Sequence, residues 1–135
     1  MNPLRAGSGA RDLDWLLNDL IGRMPGATGV ALLSADGLLI SRSSSLSRDN
    51  GDHLAAVASA FQSLAKGAGQ QFGGGAARQT IVELETAFLV ITSAGRSACL
   101  ALLTTVDIDL ELAAYELKLL VKQVGIYLSA RMRSL

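Results

Sequence analysis

The chain has 135 residues, half of them hydrophobic and only 18% charged, and its 12 Lys and Arg balance its 12 Asp and Glu. One domain fits that length, the hydrophobic share excludes a disordered chain, and zero net charge leaves no basic footprint for nucleic acid. The charged share lies below the usual ~25%, so some of the surface is expected to be covered by a partner.

The first predicted element is a helix from about Arg11. Leu13, Leu16, Leu17, Leu20 and Ile21 fall on one helical stripe, with Asp14, Asn18 and Asp19 opposite. Gly22, Pro25 and Gly26 stop it. Residues 1–10 read as a flexible tail, and residues 11–135 as the domain. Two strands follow, Thr28–Ser34 and Leu38–Ser41, joined at Asp36-Gly37. Asp-Gly between apolar runs is a strong hairpin signal, because Gly accepts positive φ.

A polar loop of serines leads to a second helix, from about Arg48 to Gln70, which Ser47 is placed to cap. Leu54, Val57, Ala58, Phe61, Leu64, Ala65 and Ala68 form its expected inward stripe, and Gly73-Gly74-Gly75 ends it. Three strands follow, at Thr80–Leu84, Ala87–Ser93 and Ala98–Thr104. Turns are expected at Glu85-Thr86 and at Ala94-Gly95-Arg96. The last two strands are apolar on both faces and must be covered on both. Thr80–Leu84, with Glu83 and Glu85 on one side, suits an edge strand. A last helix starts near Asp107, which is expected to cap it. The order α-β-β-α-β-β-β-α predicts an α+β domain, a five-stranded, mainly antiparallel sheet with helices on both faces, a profilin-like three-layer sandwich.

The second helix carries the functional signal. From His53 to Phe72 its only full charge is Lys66. At 100° per residue, Ala56, Ala60, Ser63 and Gly67 fall together, nearly opposite the expected inward stripe. A surface helix ordinarily places Lys and Glu there. A smooth face of small residues suits either a bare, helix-favouring surface or a helix-to-helix contact between subunits. Self-association with twofold symmetry is the commonest form of the latter.

Other motifs point to structure rather than chemistry. Gly67–Gly75 closes a helix, whereas a phosphate loop opens one with Gly-Lys-Ser/Thr. One cysteine, Cys99, excludes an intrachain disulfide or a multi-cysteine metal site, and it reads as a buried thiol. The single His53 has Asp49 and Asp52 nearby but no nucleophile tied to it. Asp107, Asp109 and Glu111 lack the spacing of a calcium loop. Packing is the expected role of Tyr115 and Tyr127, while Trp15, beside the Leu16/Leu17 stripe, is read either as packing at a helix edge or as marking a contact. No catalytic, cofactor or metal site is expected. Residues 1–10 carry no secretory pattern, and no apolar run approaches the ~20 residues of a membrane span. A cytoplasmic protein with no direct membrane insertion is the expectation.

The order of elements, with Met24-Pro25-Gly26, Gly29–Ser34, Asp36-Gly37 and Leu38-Leu39-Ile40, resembles the opening of the roadblock/dynein-light-chain family. The likeness spans roughly residues 11–133. It implies a non-catalytic homodimer that works with Ras-like small GTPases, or a scaffold in motor and membrane complexes. It also implies that second helices pack across the dimer and third strands pair into one continuous sheet. Those contacts map onto Ala56, Ser59, Ala60, Ser63 and Gly67, and onto Thr80, Ile81, Val82 and Glu83. Residue usage looks like that of a high-GC bacterium, where such proteins accompany a small GTPase and a sensor-kinase-like protein. Arg42, Arg78 and Arg96 are loop-adjacent but read as solvated groups rather than arginine fingers. The alternative is a small-molecule sensor with a pocket between helix and sheet.

Overall fold

The computed structural model describes residues 3–95 and 97–134, with side chains from Leu13 to Ser129. Arg96 lies outside the described residues. The elements are α1 (Pro3–Arg23), β1 (Ala27–Ser34), β2 (Leu39–Arg42), α2 (Arg48–Gln71), β3 (Gln79–Glu83), β4 (Ala87–Ser93), β5 (Ala98–Thr105) and α3 (Leu110–Ser134). The order is the one expected from the sequence. The first helix begins earlier than the expected Arg11, at Pro3. Adding turns to an existing helix avoids the cost of nucleation, and proline is accepted at a first helical position because it needs no N–H there.

All strand pairs are antiparallel, in the order β2-β1-β5-β4-β3. Side chains alternate across this sheet, and both faces are apolar. Val30, Leu32, Val90, Leu100 and Leu102 meet Leu13, Leu16, Leu17 and Leu20 of α1 and Ala113, Leu117, Leu120 and Val124 of α3. Ala31, Leu33, Leu89, Ile91, Cys99 and Ala101 meet Leu54, Ala55 and Ala58 of α2. Each large side chain buried this way contributes roughly 1.5–3 kcal/mol. The layers are therefore α1 and α3, the sheet, and α2.

Glycine sets two of the corners. Gly26 has φ 96° and its carbonyl accepts from the Thr105 N–H at 2.7 Å, so α1 enters β1 close against the end of β5. Gly37, φ 88°, completes the Asp-Gly turn, and its N–H donates to the Ser34 carbonyl at 2.9 Å. At α2 the Ser47 hydroxyl accepts from the Asn50 N–H at 3.1 Å, the expected cap. At α3 the cap is Asp109 rather than Asp107. Its Oδ1 accepts from the N–H groups of Glu111 and Leu112 at 3.0 and 3.2 Å. Asp107 instead accepts from the Thr105 hydroxyl, which holds the chain in a turn before the helix begins.

The segment after α2 folds back on it, and the N–H groups of Gly74 and Gly75 both donate to the Gly69 carbonyl. A Cβ on Gly69 would sit 2.0 Å from the Gly75 carbonyl oxygen, whereas one on Gly125 in α3 meets nothing within 4 Å. Chemical denaturation should separate the two helical glycines. Gly69→Ala is expected to lower stability by about 1–3 kcal/mol through overpacking, and Gly125→Ala to raise it by about 0.5–1 kcal/mol through chain entropy.

Candidate interaction surface

The buried residues of α2 are Gly51, Leu54, Ala55 and Ala58. Their mean direction is turned by roughly 70° from the stripe expected from the sequence, at 100° per residue. Two observations explain the turn. Gly51 lets α2 approach β2, since a Cβ there would lie 3.0 Å from both Leu39 and Arg42. Gln62, a polar residue, points inward: its Nε2 donates to the Ser93 hydroxyl at 3.2 Å, and its Oε1 accepts from the Thr80 hydroxyl at 2.8 Å. The Ser93 hydroxyl in turn donates to the Ala77 carbonyl at 2.9 Å. One amide therefore ties α2 to β3, to β4 and to the loop between α2 and β3.

The turn moves two residues from the expected core to the surface. Val57 is 42% exposed and Leu64 72%. They join Ala56, Ala60, Gly67 and Ala68, all exposed, to make one uncharged face. Ser63 is exposed at its border. Ser59 is not on this face. It is half-buried, its hydroxyl donating to the Ala35 carbonyl at 3.2 Å.

The strand part of the expected surface is divided by face. Thr80 and Val82 look toward α2, Thr80 through Gln62 and Val82 against the α2-side core. Ile81 and Glu83 lie on the other face, with Ile81 47% exposed. The Ser93 N–H donates to the Arg78 carbonyl, and the Leu84 N–H donates to the Ala87 carbonyl. In an antiparallel ladder such pairs alternate. Arg78, Thr80, Val82 and Leu84 therefore spend their backbone groups on β4, and Gln79, Ile81 and Glu83 present theirs at the open edge. The opposite edge differs. β2 has only 4 residues, with α1 beside it: Ser41 donates to Asp14, and the Ser44 N–H donates to Asn18 at 2.7 Å. The long open edge of the sheet is thus β3.

Other candidates have structural roles or stand alone. His53 is exposed near the start of α2, beside Asp49 and Asp52 at a shallow cleft. Among the described residues no three His, Cys, Asp or Glu side chains are grouped to hold a metal ion. Cys99 is buried as expected, and desolvation pushes its thiol up, only partly offset by Gln62. Arg42 donates to the Leu46 carbonyl at 2.6 Å and so braces the serine loop. Arg78 is exposed at the head of β3. Arg23 pairs with Asp19 and Glu116, linking α1 to α3, and these carboxylates hold its guanidinium above its ordinary value. Tyr127 packs on the α1/α3 core, but Trp15 is 63% exposed and Tyr115 is exposed too, so packing does not account for those two. No helix among the described residues is long and apolar enough to cross a membrane.

The chain matches the family model described as the Roadblock/LC7 domain over residues 13–104, from α1 through β5. A Roadblock/LC7 domain structure from Streptomyces avermitilis is 44% identical, covering 86% of this chain and 97% of its own, with a TM-score of 0.83. A second from that organism is 35% identical, covering 82% and 96%, with a TM-score of 0.69. MglB of Myxococcus xanthus shares the fold at 17% identity, covering 89% and 90%, with a TM-score of 0.80. None of the curated proteins matches the chain in sequence.

Gln62→Leu leaves the Thr80 and Ser93 hydroxyls without their amide partner. The variant is expected to lose about 1–3 kcal/mol in urea denaturation. An unchanged midpoint would mean that α2 is oriented by its apolar contacts alone.

Proposed function

We propose that the chain, which belongs to the Roadblock/LC7 family, works as a non-catalytic homodimeric scaffold that regulates a Ras-like small GTPase in a bacterial signalling system. The observation that carries the dimer is the uncharged α2 face lying beside the open β3 edge. Both features call for a covering surface, and a second copy supplies both at once. A twofold axis at Ile81 would pair β3 with its own copy through Gln79, Ile81 and Glu83. Ile81 then faces Ile81, and each Glu83 faces a Gln79 rather than another carboxylate, which avoids like-charge repulsion. Ala56, Ala60 and Gly67 carry no side chain beyond Cβ, so two α2 backbones can approach closely, with Val57 and Leu64 supplying apolar area at the flank.

The regulatory half of the proposal rests on the family. Roadblock/LC7 proteins are generally non-catalytic regulators. The dimer would present a composite surface that binds one nucleotide state of the GTPase better than the other, which is how a scaffold biases a two-state switch. A sensor-kinase-like protein is a further proposed partner, and the cytoplasm the proposed location.

Light scattering over a concentration series tests the dimer. The expected mass is twice the 14.1 kDa of the chain. Ala60→Glu and Ala56→Arg should give monomers with an unchanged circular dichroism spectrum, because both sites are exposed in the single subunit and a charge would be buried only by association. A wild-type monomer at high concentration, or variants that stay dimeric, would contradict the proposal. A pull-down with small GTPases in each nucleotide state then tests the regulatory half.

A further inference from the structure

The two flanks of α2 differ in chemistry. Away from Val57 and Leu64, the residues Ser59, Gln62, Ser63, Lys66 and Gln70 follow one helical line and form one wall of a cleft of about 450 Å³. The opposite wall is backbone and small side chains, among them Ala77, Ser93 and Gly95, with Cys99 beneath. That volume falls within the roughly 300–1,000 Å³ of small-molecule sites.

The charge of the lining is one-sided. It contains Lys66 and no carboxylate, and among the described residues every ion pair belongs to Arg23. Ser63, Lys66 and Gln70 make no side-chain hydrogen bond within the described residues, while Ser59 and Gln62 are fixed in place by Ala35, Ser93 and Thr80. One wall of the cleft therefore combines two polar side chains held in place, Ser59 and Gln62, with an ammonium, a hydroxyl and an amide whose hydrogen-bonding capacity is unspent. Lys66 lies more than one turn before the end of α2 at Gln71. The negative end of the helix, which acts within the last turn, does not cancel its charge.

We propose that this cleft binds a small organic anion, a carboxylate- or phosphate-bearing molecule of metabolite size, with Lys66 on the oxyanion and Ser63 and Gln70 on its hydroxyl groups. The walls of Ala, Gly and Ser leave room for a flat ligand and carry no large apolar side chain for it to pack against. The site lies within one subunit, so it does not depend on the proposed dimer, and binding there places a ligand against the helix that would carry the dimer contact. Ligand occupancy and subunit association then share one element, α2, and either can bias the other.

The test is an NMR titration of the full chain with ribose 5-phosphate and with citrate, using uncharged ribose as the control. At least one of the two anions is expected to give saturable amide shifts confined to Ser63, Lys66, Gln70, Ala77 and Gly95 below roughly 10 mM, and ribose none. Lys66→Gln, at an exposed position, should keep the fold and weaken that anion at least tenfold. Occupancy should also slow alkylation of Cys99 by iodoacetamide. Absence of saturable shifts with both anions, equal binding of ribose, or full affinity in Lys66→Gln would each overturn the proposal. Binding retained in an Ala60→Glu monomer would show that the cleft works without the dimer. Loss of binding in that monomer would contradict a site contained in one subunit.

Discussion

The Gln62 amide, clasped between the hydroxyls of Thr80 and Ser93, sets the rotation of α2 on the sheet, and with it which residues the protein leaves uncovered. An Ala-rich helix has little apolar contrast around its axis. The observed rotation leaves Val57 and Leu64 outside and seats Gly51 and Ala55 instead, so buried area alone does not select it. Breaking the Gln62 bonds to Thr80 and Ser93 would cost about 1–3 kcal/mol for each group left unpaired inside the structure, which opposes turning the helix back. With Gln62 fixed and Gly51 seated against Leu39 and Arg42, Val57 and Leu64 have nowhere to go but outward.

Much of the fold is legible in the sequence, because the sheet states its needs in period two. Leu89 and Ile91 alternate with Phe88 and Val90, and both sets find a covering layer. The Asp36-Gly37 corner and the Ser47 cap also stand where local chemistry requires them. The rotation of α2 is not legible in the same way. Its apolar residues spread over most of the helix, and the deciding group is polar, with partners on strands far along the chain. The cap of α3 fails for a similar reason. Asp107 and Asp109 are both suited to capping, and a bond from Thr105 to Asp107 selects between them.

The candidate surface shares this mixture. Ala56, Ala60, Ser63 and Gly67 are exposed because they lie opposite any inward direction near Leu54. Ser59 lies closer to the inward side and is claimed by the Ala35 carbonyl. The exposure of Val57, Leu64 and Ile81 enlarges the apolar area beside the β3 edge beyond what small residues alone provide. On the opposite flank the same rotation lines up Ser63, Lys66 and Gln70 over a cleft. One helix orientation thus separates an apolar flank suited to a second subunit from a polar flank suited to a small ligand.

Residue-resolved hydrogen exchange on β3 tests the central claim most directly. In an isolated subunit the amides of Gln79, Ile81 and Glu83 face solvent, while those of Thr80 and Val82 are bonded to β4. A dimer joined along this edge predicts that all five are protected in native protein, with protection at Ile81 falling on dilution. Fast exchange at Gln79, Ile81 and Glu83 beside slow exchange at Thr80 and Val82, at every concentration, would leave β3 an open edge and contradict the account.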